Sequence, residues 1–156
     1  VGNFPYNISS QILFKCLAHR TEITGIVGMF QKEVAQRICE KPGSRQYGIL
    51  SVLMQAFYEV EYGFTIKPGA FNPPPKVDSA VIHCKRKAKF HLDCDEDLFF
   101  RVVKMAFNQR RKILRNSLKS LMEEKDLPEA LAMSRPEQLD VEAFVLLTTI
   151  IERANE

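Results

Sequence analysis

Hydrophobic and polar positions follow two different periods along this chain, and the change of period divides it. Val1-Gly2-Asn3-Phe4-Pro5-Tyr6 is a short apolar lead-in broken by a proline, which predicts a strand running into a rigid turn. Pro5 fixes its own φ and keeps Phe4 out of the helical region, so the turn is extended and stiff. Ser9 or Ser10 then caps a helix to about Arg20, with Ile12, Leu13, Cys16 and Leu17 on one face. The apolar run from Ile23 to Phe30 predicts a buried strand. Gln31 to Glu40 predicts a helix that turns Val34, Ala35 and Ile38 inward. Lys41 to Gly48 is a loop by its Pro and Gly content, and helix resumes from about Ile49 to Phe57. Glu59 to Lys67 and Asp78 to Lys85 predict two further strands. The proline-rich connector between them suggests an antiparallel pair at a sheet edge.

Past a charged stretch at residues 86–94 the period becomes helical throughout. Asp95 caps a helix holding Leu98, Phe99, Val102, Val103, Ala106 and Phe107, and a second helix runs from about Gln109 to Glu124. Two shorter ones follow, the last beginning at Asp140 and carrying Phe144, Leu147, Ile150 and Ile151. Ser134-Arg135-Pro136-Glu137 predicts a capping box on a short helical turn between them. The fold class is therefore α/β plus all-α, with an α/β part over residues 1–88 and a helical part over residues 89–156.

Composition narrows the class without changing that division. At 156 residues, 46% hydrophobic and with mean hydropathy -0.16, the sequence is that of a globular protein with a real core. No apolar run approaches the roughly 20 residues that span a bilayer, and the first residues are no signal peptide, so a cytoplasmic location and no membrane partner are expected. Cys16, Cys39, Cys84 and Cys94 form no C-x-x-C pair, which predicts reduced, mostly buried thiols and no metal site. Charge matters by its distribution. From Met122 onward nine acidic residues stand against Lys125, Arg135 and Arg153, a net -6, so the first 121 residues carry +9 of the overall +3. That asymmetry is the footprint of a nucleic-acid binder.

Three stretches carry candidate chemistry. The opening turn presents a short amide (Asn3), the Pro5 carbonyl with no partner across a ladder, and the aromatic face of Tyr6. Together these can grip a planar group bearing N–H donors. In Pro68-Gly69-Ala70-Phe71-Asn72-Pro73-Pro74-Pro75-Lys76-Val77, Phe71 is one aromatic in a stiff turn. Between Ala106 and Lys119, five basic side chains (Arg110, Arg111, Lys112, Arg115, Lys119) occur with no acid among them. On a continuous helix Arg111, Arg115 and Lys119 share one face, which suits phosphate contacts. The plain alternatives are a turn with a packed aromatic for the first two and an amphipathic packing helix for the third.

Asn3-Phe4-Pro5-Tyr6 resembles the N-[LIF]-P-Y motif of amino-directed adenine methyltransferases. With Asn7 to Lys15, the match narrows to the KsgA/RsmA family of ribosomal RNA adenine dimethyltransferases. Phe71 to Ser79 resembles the family's F-x-P-x-P-K-V-x-S motif, Ala106 to Leu118 its A-F-x-Q-R-R-K-x-L-R-N-S-L block, and Lys41 to Val52 its K-P-G-[SD]-x-x-Y-G-x-L-S-V block. Phe4 stands where Leu or Ile is commoner. The resemblance implies a class I, Rossmann-like methyltransferase domain followed by a small helical RNA-binding domain. It also implies S-adenosylmethionine as cofactor, 16S rRNA of the small ribosomal subunit or its precursor as partner, and a monomer that dimethylates two adjacent adenines near the RNA's 3′ end. By resemblance, Asn3 and Pro5 accept hydrogen bonds from the adenine amino group, Asn3 also touches the cofactor, and Tyr6 and Phe71 clamp the base. No G-x-G turn occurs in the sequence. In the family that turn precedes the N-x-P-Y motif, so the chain is expected to be a piece cut at this motif and inactive alone. The alternatives are a non-catalytic RNA-binding or ribosome-assembly module and an Erm-type 23S rRNA methyltransferase, against which the Lys41 to Val52 block and the basic stretch argue.

Overall fold

In the computed structural model, which describes residues 1–122 and 126–156, the chain divides into two compact units. The first comprises Val1–Glu40 and Met54–Phe90, the second Lys41–Leu53 and His91–Glu156. The chain thus leaves the first unit at Lys41 and returns at Met54, a discontinuity absent from the expected division at 88/89.

The first unit is built on a four-stranded mixed sheet. Strands β1 (Gly2–Asn3) and β2 (Gly25–Gln31) are parallel; β3 (Tyr58–Ile66) and β4 (Ser79–Arg86) run antiparallel, and the spatial order is β1-β2-β4-β3. The expected antiparallel pair is there with β3 at the edge. Exposed Glu59 and Glu61 on β3 face Lys85 and His83 on β4, a charged fringe that discourages further pairing. Alternation decides which face is buried: Ile26, Gly28 and Phe30 of β2 and Ala80, Ile82 and Cys84 of β4 point inward, while Val27, Met29 and Gln31 stay half-exposed.

Helices α1 (Ser9–Ala18) and α2 (Lys32–Cys39) supply Leu13, Leu17, Ala35 and Ile38 to the core. The first residue outside α1 is Ile8, and neither serine caps it. Ser9 Oγ instead donates to the Tyr6 carbonyl at 3.2 Å, closing the 3-10 turn Tyr6–Ile8. Helix α3 (Ile49–Phe57) is apolar on nearly every side, and its polar Gln55 donates to the Ile38 and Glu40 carbonyls at 2.9 and 2.8 Å. Those are carbonyls that the end of α2 leaves without intrahelical donors.

The regular elements of the second unit are helical among the described residues. Asp95 accepts from Leu98 N–H at 2.7 Å to open α4 (Glu96–Asn108), as the sequence predicts. The helix expected over residues 109–124 is not continuous. Residues 109–113 form a turn, α5 covers only Leu114–Ser117, and Lys119–Leu121 is a 3-10 turn; Glu123 and Glu124 lie outside the described residues. A tertiary bond explains the break. Ile113 is extended (φ -70, ψ 156) and Leu114 N–H donates to the Ser134 carbonyl at 2.9 Å, which directs Leu114, Leu118 and Leu121 into the core.

Helix α6 (Glu129–Ala132) is short, but the final α7 (Val141–Ala154) is the longest among the described residues, not one of two shorter ones. Asp140 caps it as expected, accepting from Ala143 N–H at 2.8 Å. The capping box sits one residue later than predicted: Arg135 N–H donates to Gln138 Oε1 at 2.7 Å, and Ser134 donates to Ala130 O instead. Phe107 and Phe144 stack at 5.8 Å, and Tyr47 meets Phe107 edge-on at 6.1 Å while donating its buried hydroxyl to Leu139 O. The loop holding Tyr47 is thereby part of this unit's core.

The four cysteines are free, but only Cys84 is buried, the others being half-buried. Burial pushes the Cys84 thiol up to about 12, and burial followed by the Glu40 charge pushes Cys39 up to about 11.

Two outcomes follow from this packing. A Cβ at Gly28 would lie 2.3 Å from the Phe4 ring and 2.8 Å from that of Phe30, whereas one at Gly2 meets Phe4 alone at 2.6 Å. Gly28→Ala is therefore expected to cost about 1–3 kcal/mol in urea unfolding, with Gly2→Ala costing less. The raised thiols also set a sign: the folded chain keeps these protons longer than the unfolded one, whose ordinary value is 9.0. Their contribution is complete below pH 9 and is lost as pH rises through 11 to 12. Urea midpoints measured across that window should fall, and should fall less in Cys84→Ala.

Candidate functional site

The opening turn is anchored from beneath by Phe4. Gly2 and Gly28 are register partners in the parallel pair, and the absence of a side chain on either lets the Phe4 ring lie against both backbones. The ring also tilts against Phe30 at 5.0 Å, and Phe4 N–H donates to Met29 O at 3.3 Å. With Phe4 directed inward, Asn3 and Pro5 on either side stand exposed at the carboxyl end of β1. The Asn3 side chain takes no hydrogen bond among the described residues. The Pro5 carbonyl has no ladder partner, as expected, but accepts from Ile8 N–H at 3.2 Å. One of its two lone pairs remains for a ligand.

Tyr6 is held at both ends. Its carbonyl takes the Ser9 hydroxyl, and its own hydroxyl is hydrogen-bonded to that of Ser79, the buried first residue of β4. Ser79 lies within the motif around Phe71, yet the sequence offers no sign that its partner is 73 residues upstream.

The connector between β3 and β4 is stapled at its ends. Lys67 Nζ meets Asp78 Oδ2 at 2.9 Å, and Lys32 N–H donates to the Asp78 carbonyl at 2.9 Å. A 3-10 turn at Pro68–Ala70 and three successive prolines stiffen what lies between, where the Asn72–Pro73 bond is cis. The result is one recess of about 250 Å³ at the carboxyl ends of the two parallel strands. It brings together all four residues expected from the sequence, Asn3, Pro5, Tyr6 and Phe71. Phe4, Met29, Pro73 and Pro75 complete the walls. Met29 escapes a sequence reading because only strand register sets it beside Asn3. Apolar and aromatic walls with one free amide and one carbonyl suit a planar group carrying N–H donors.

The basic stretch of the second unit meets a different outcome. Its residues do not share a helical face, because the helix stops at Asn108. Arg111, Lys112, Arg115 and Lys119 are exposed all the same, while Arg110 is half-buried and donates to the Ser44 carbonyl at 3.1 Å. Arg115 is paired with Glu129 at 2.6 Å, an acid outside the stretch that its own composition conceals. Arg111, Lys112 and Lys119 take no ion pair among the described residues.

A mixed sheet carrying helices, with an aromatic-walled recess beyond the carboxyl ends of its parallel strands, places the first unit in the Rossmann-like methyltransferase class. The chain belongs to the ribosomal RNA adenine dimethylase family, whose model matches residues 1–152. It is 59% identical over 153 residues to a ribosomal RNA small subunit methyltransferase A of Flavobacterium johnsoniae, covering 97% of this chain and 59% of the relative. To the protein of the same description from Bacteroides thetaiotaomicron it is 58% identical, covering 98% of this chain and 58% of the relative. The chain thus spans less than two thirds of the length of these relatives. Among solved structures, a dimethyladenosine transferase from Plasmodium falciparum superposes with a TM-score of 0.85 at 25% identity, covering 98% of this chain and 66% of that one. The 23S rRNA methyltransferase ErmE shares the fold more distantly, with a TM-score of 0.58 at 24% identity over 99% of this chain and 64% of its own.

Among the basic residues, phosphate binding and solvation differ in their response to salt. If these three cations contact phosphate, replacing Arg111, Lys112 and Lys119 together by Gln flattens the slope of log affinity for RNA against log salt by about 2–3, and leaves it unchanged if they are only solvated. Arg115→Gln should change it by less than one contact's worth of about 0.7–0.9, because Glu129 already neutralises that charge. Filter-binding titrations at several salt concentrations read both, and thermal stability should barely move.

Proposed function

We propose that this chain is the substrate-base portion of an S-adenosylmethionine-dependent adenine dimethyltransferase acting on two adjacent adenines near the 3′ end of 16S rRNA in the small ribosomal subunit or its precursor. On this reading, residues 1–88, apart from the Lys41–Leu53 segment that belongs to the second unit, supply the later part of a catalytic domain, residues 89–156 a helical RNA-binding domain, and the enzyme acts as a monomer. The observation that carries it is the convergence of Asn3, Pro5, Tyr6 and Phe71 on one recess from two segments far apart in sequence.

The chemistry follows from what an adenine amino group lacks. Its lone pair is delocalised into the ring, so it is a poor nucleophile. When the Asn3 amide oxygen and the free lone pair of the Pro5 carbonyl accept its two N–H groups, the nitrogen is drawn toward tetrahedral geometry and its lone pair is localised. Positioning and electrostatics then accomplish what a strong base would otherwise do. A base cannot reach this recess while stacked in RNA, and Tyr6 and Phe71 replace the lost stacking. S-adenosylmethionine, when bound, supplies the electrophilic methyl group. This chain fits the base half of the reaction: none of its seven glycines forms a G-x-G turn, and Asn3 is the residue that the resemblance turns toward the methyl donor. The 156-residue chain alone is accordingly expected to show no micromolar binding of S-adenosylmethionine by calorimetry.

In the full-length enzyme, Tyr6→Ala and Phe71→Ala should each lose about 1–3 kcal/mol of base stacking, slowing single-turnover methyl transfer about five- to 150-fold. Tyr6→Phe keeps the ring and loses only the Ser79 bond, so its loss should be smaller. Wild-type single-turnover rates in either alanine variant would end the clamp role for that residue.

A further inference from the structure

A second, larger recess opens beside the first, with a volume of about 370 Å³. Gln31, Lys32, Glu33 and Gln36 line it from the end of β2 and the first turns of α2, and Val77 and Asp78 from the segment leading into β4. None of these residues contributes to the chemistry above. Both recesses are built from the same two strands of chain. Met29 of β2 lines the first and Gln31, two residues on along the same face, lines the second; Pro75 and Val77 repeat that relation on the connector. Two residues of extended strand cover about 6.6 Å, on the scale of one nucleotide step in an unstacked single strand.

The lining chemistry selects the occupant. Lys32 is 3.9 Å from Asp78, which also holds Lys67, and Glu33 pairs with Arg37 at 3.3 Å. The recess therefore offers no surplus positive charge, and a phosphate has no reason to settle there. The Gln31 and Gln36 amides, in contrast, take no hydrogen bond among the described residues, and Val77 leaves 44% of its surface exposed. Two free amides beside an exposed apolar side chain match a neutral, flat group with a donor and an acceptor on its edge. A glutamine amide is complementary in this way to adenine, accepting from N6 and donating to N7.

We propose that this recess seats the base of the nucleotide adjacent to the one held by Asn3, Pro5, Tyr6 and Phe71, that this base is an adenine, and that Gln31 and Gln36 select it. The inference rests on the function proposed above. It gives the protein a reason to require two neighbouring adenines: while one base is in the first recess, the other is held unstacked beside it and fixes the register of the strand.

The test uses the 156-residue chain and an eight-nucleotide single-stranded RNA containing one pair of adjacent adenines, with binding read by fluorescence anisotropy. Versions abasic at either adenine are compared on wild type, Gln36→Leu, Val77→Asp and Tyr6→Ala, with each variant's fold checked by its thermal melt. Wild type should lose about fivefold or more in affinity at each abasic position. Gln36→Leu and Val77→Asp should bind the intact RNA more weakly by a similar factor and become insensitive to the same one abasic position. Tyr6→Ala should become insensitive to the other. If Gln36→Leu and Val77→Asp fold and remain sensitive to both positions, the second recess holds no base and the inference is overturned while the first recess stands. If only Tyr6→Ala remains sensitive to both, the reading of the first recess fails instead. If wild type is indifferent to both abasic positions or binds none of these RNAs, both readings fail.

Discussion

The contact on which the site depends is that of one phenyl ring with two bare backbones. Phe4 reaches the sheet only because Gly2 and Gly28, paired across β1 and β2, leave its ring room, and a Cβ on either glycine would lie within 2.6 Å of it. Once that ring is seated, the chain has no freedom about what faces outward. Asn3 and Pro5 flank an inward residue, and Pro5 holds the backbone extended, so an amide and a carbonyl emerge together. Loss of the ring's seat would release both at once, though neither touches a glycine.

The second wall of the recess is fixed by polar contacts instead. Asp78 gathers Lys67, the Lys32 side chain and the Lys32 backbone amide at the base of the proline-rich connector, and the Tyr6–Ser79 hydroxyl pair ties that base to the opening turn. The exposed Lys67–Asp78 pair contributes little to stability by itself. What it and the prolines do is reduce the number of positions open to Phe71, so a ligand entering the recess would meet a wall whose ordering cost is already met. Pre-organisation of this kind suits a reaction whose barrier is lowered mainly by holding a weak nucleophile in place.

In the second unit, charge and packing draw on the same short segment and reach a compromise. Leu114, Leu118 and Leu121 enter the core only because the helix breaks at residues 109–113, and that break separates the cations which a straight helix would have aligned. Burial of three leucines outweighs regular spacing of surface charges, since each buried leucine is worth about 1.5–3 kcal/mol and an exposed charge far less. The basic character survives as an exposed surface, with Arg115 diverted to Glu129 and Arg110 to the Ser44 carbonyl.

Local pattern alone determined much of this protein. The period of apolar residues located every strand and the helices α1 to α4 and α7 to within a few residues, because one-sided burial leaves the same mark whatever the partner. Asp95 and Asp140 announced their helices because a cap acts within one turn. Resemblance of two proline motifs to a known family pointed to Asn3, Pro5, Tyr6 and Phe71, and the fold sets these four around one recess. Only the tertiary structure decided the rest: the register that sets Met29 beside Asn3, the Ser79 partner of Tyr6, the Ser134 carbonyl that breaks a helix at Ile113, the acid that claims Arg115, and the passage of Lys41–Leu53 into the second unit. Each of these is a meeting between residues distant in sequence, and a period of two or of 3.6 carries no record of which distant residue comes to lie opposite.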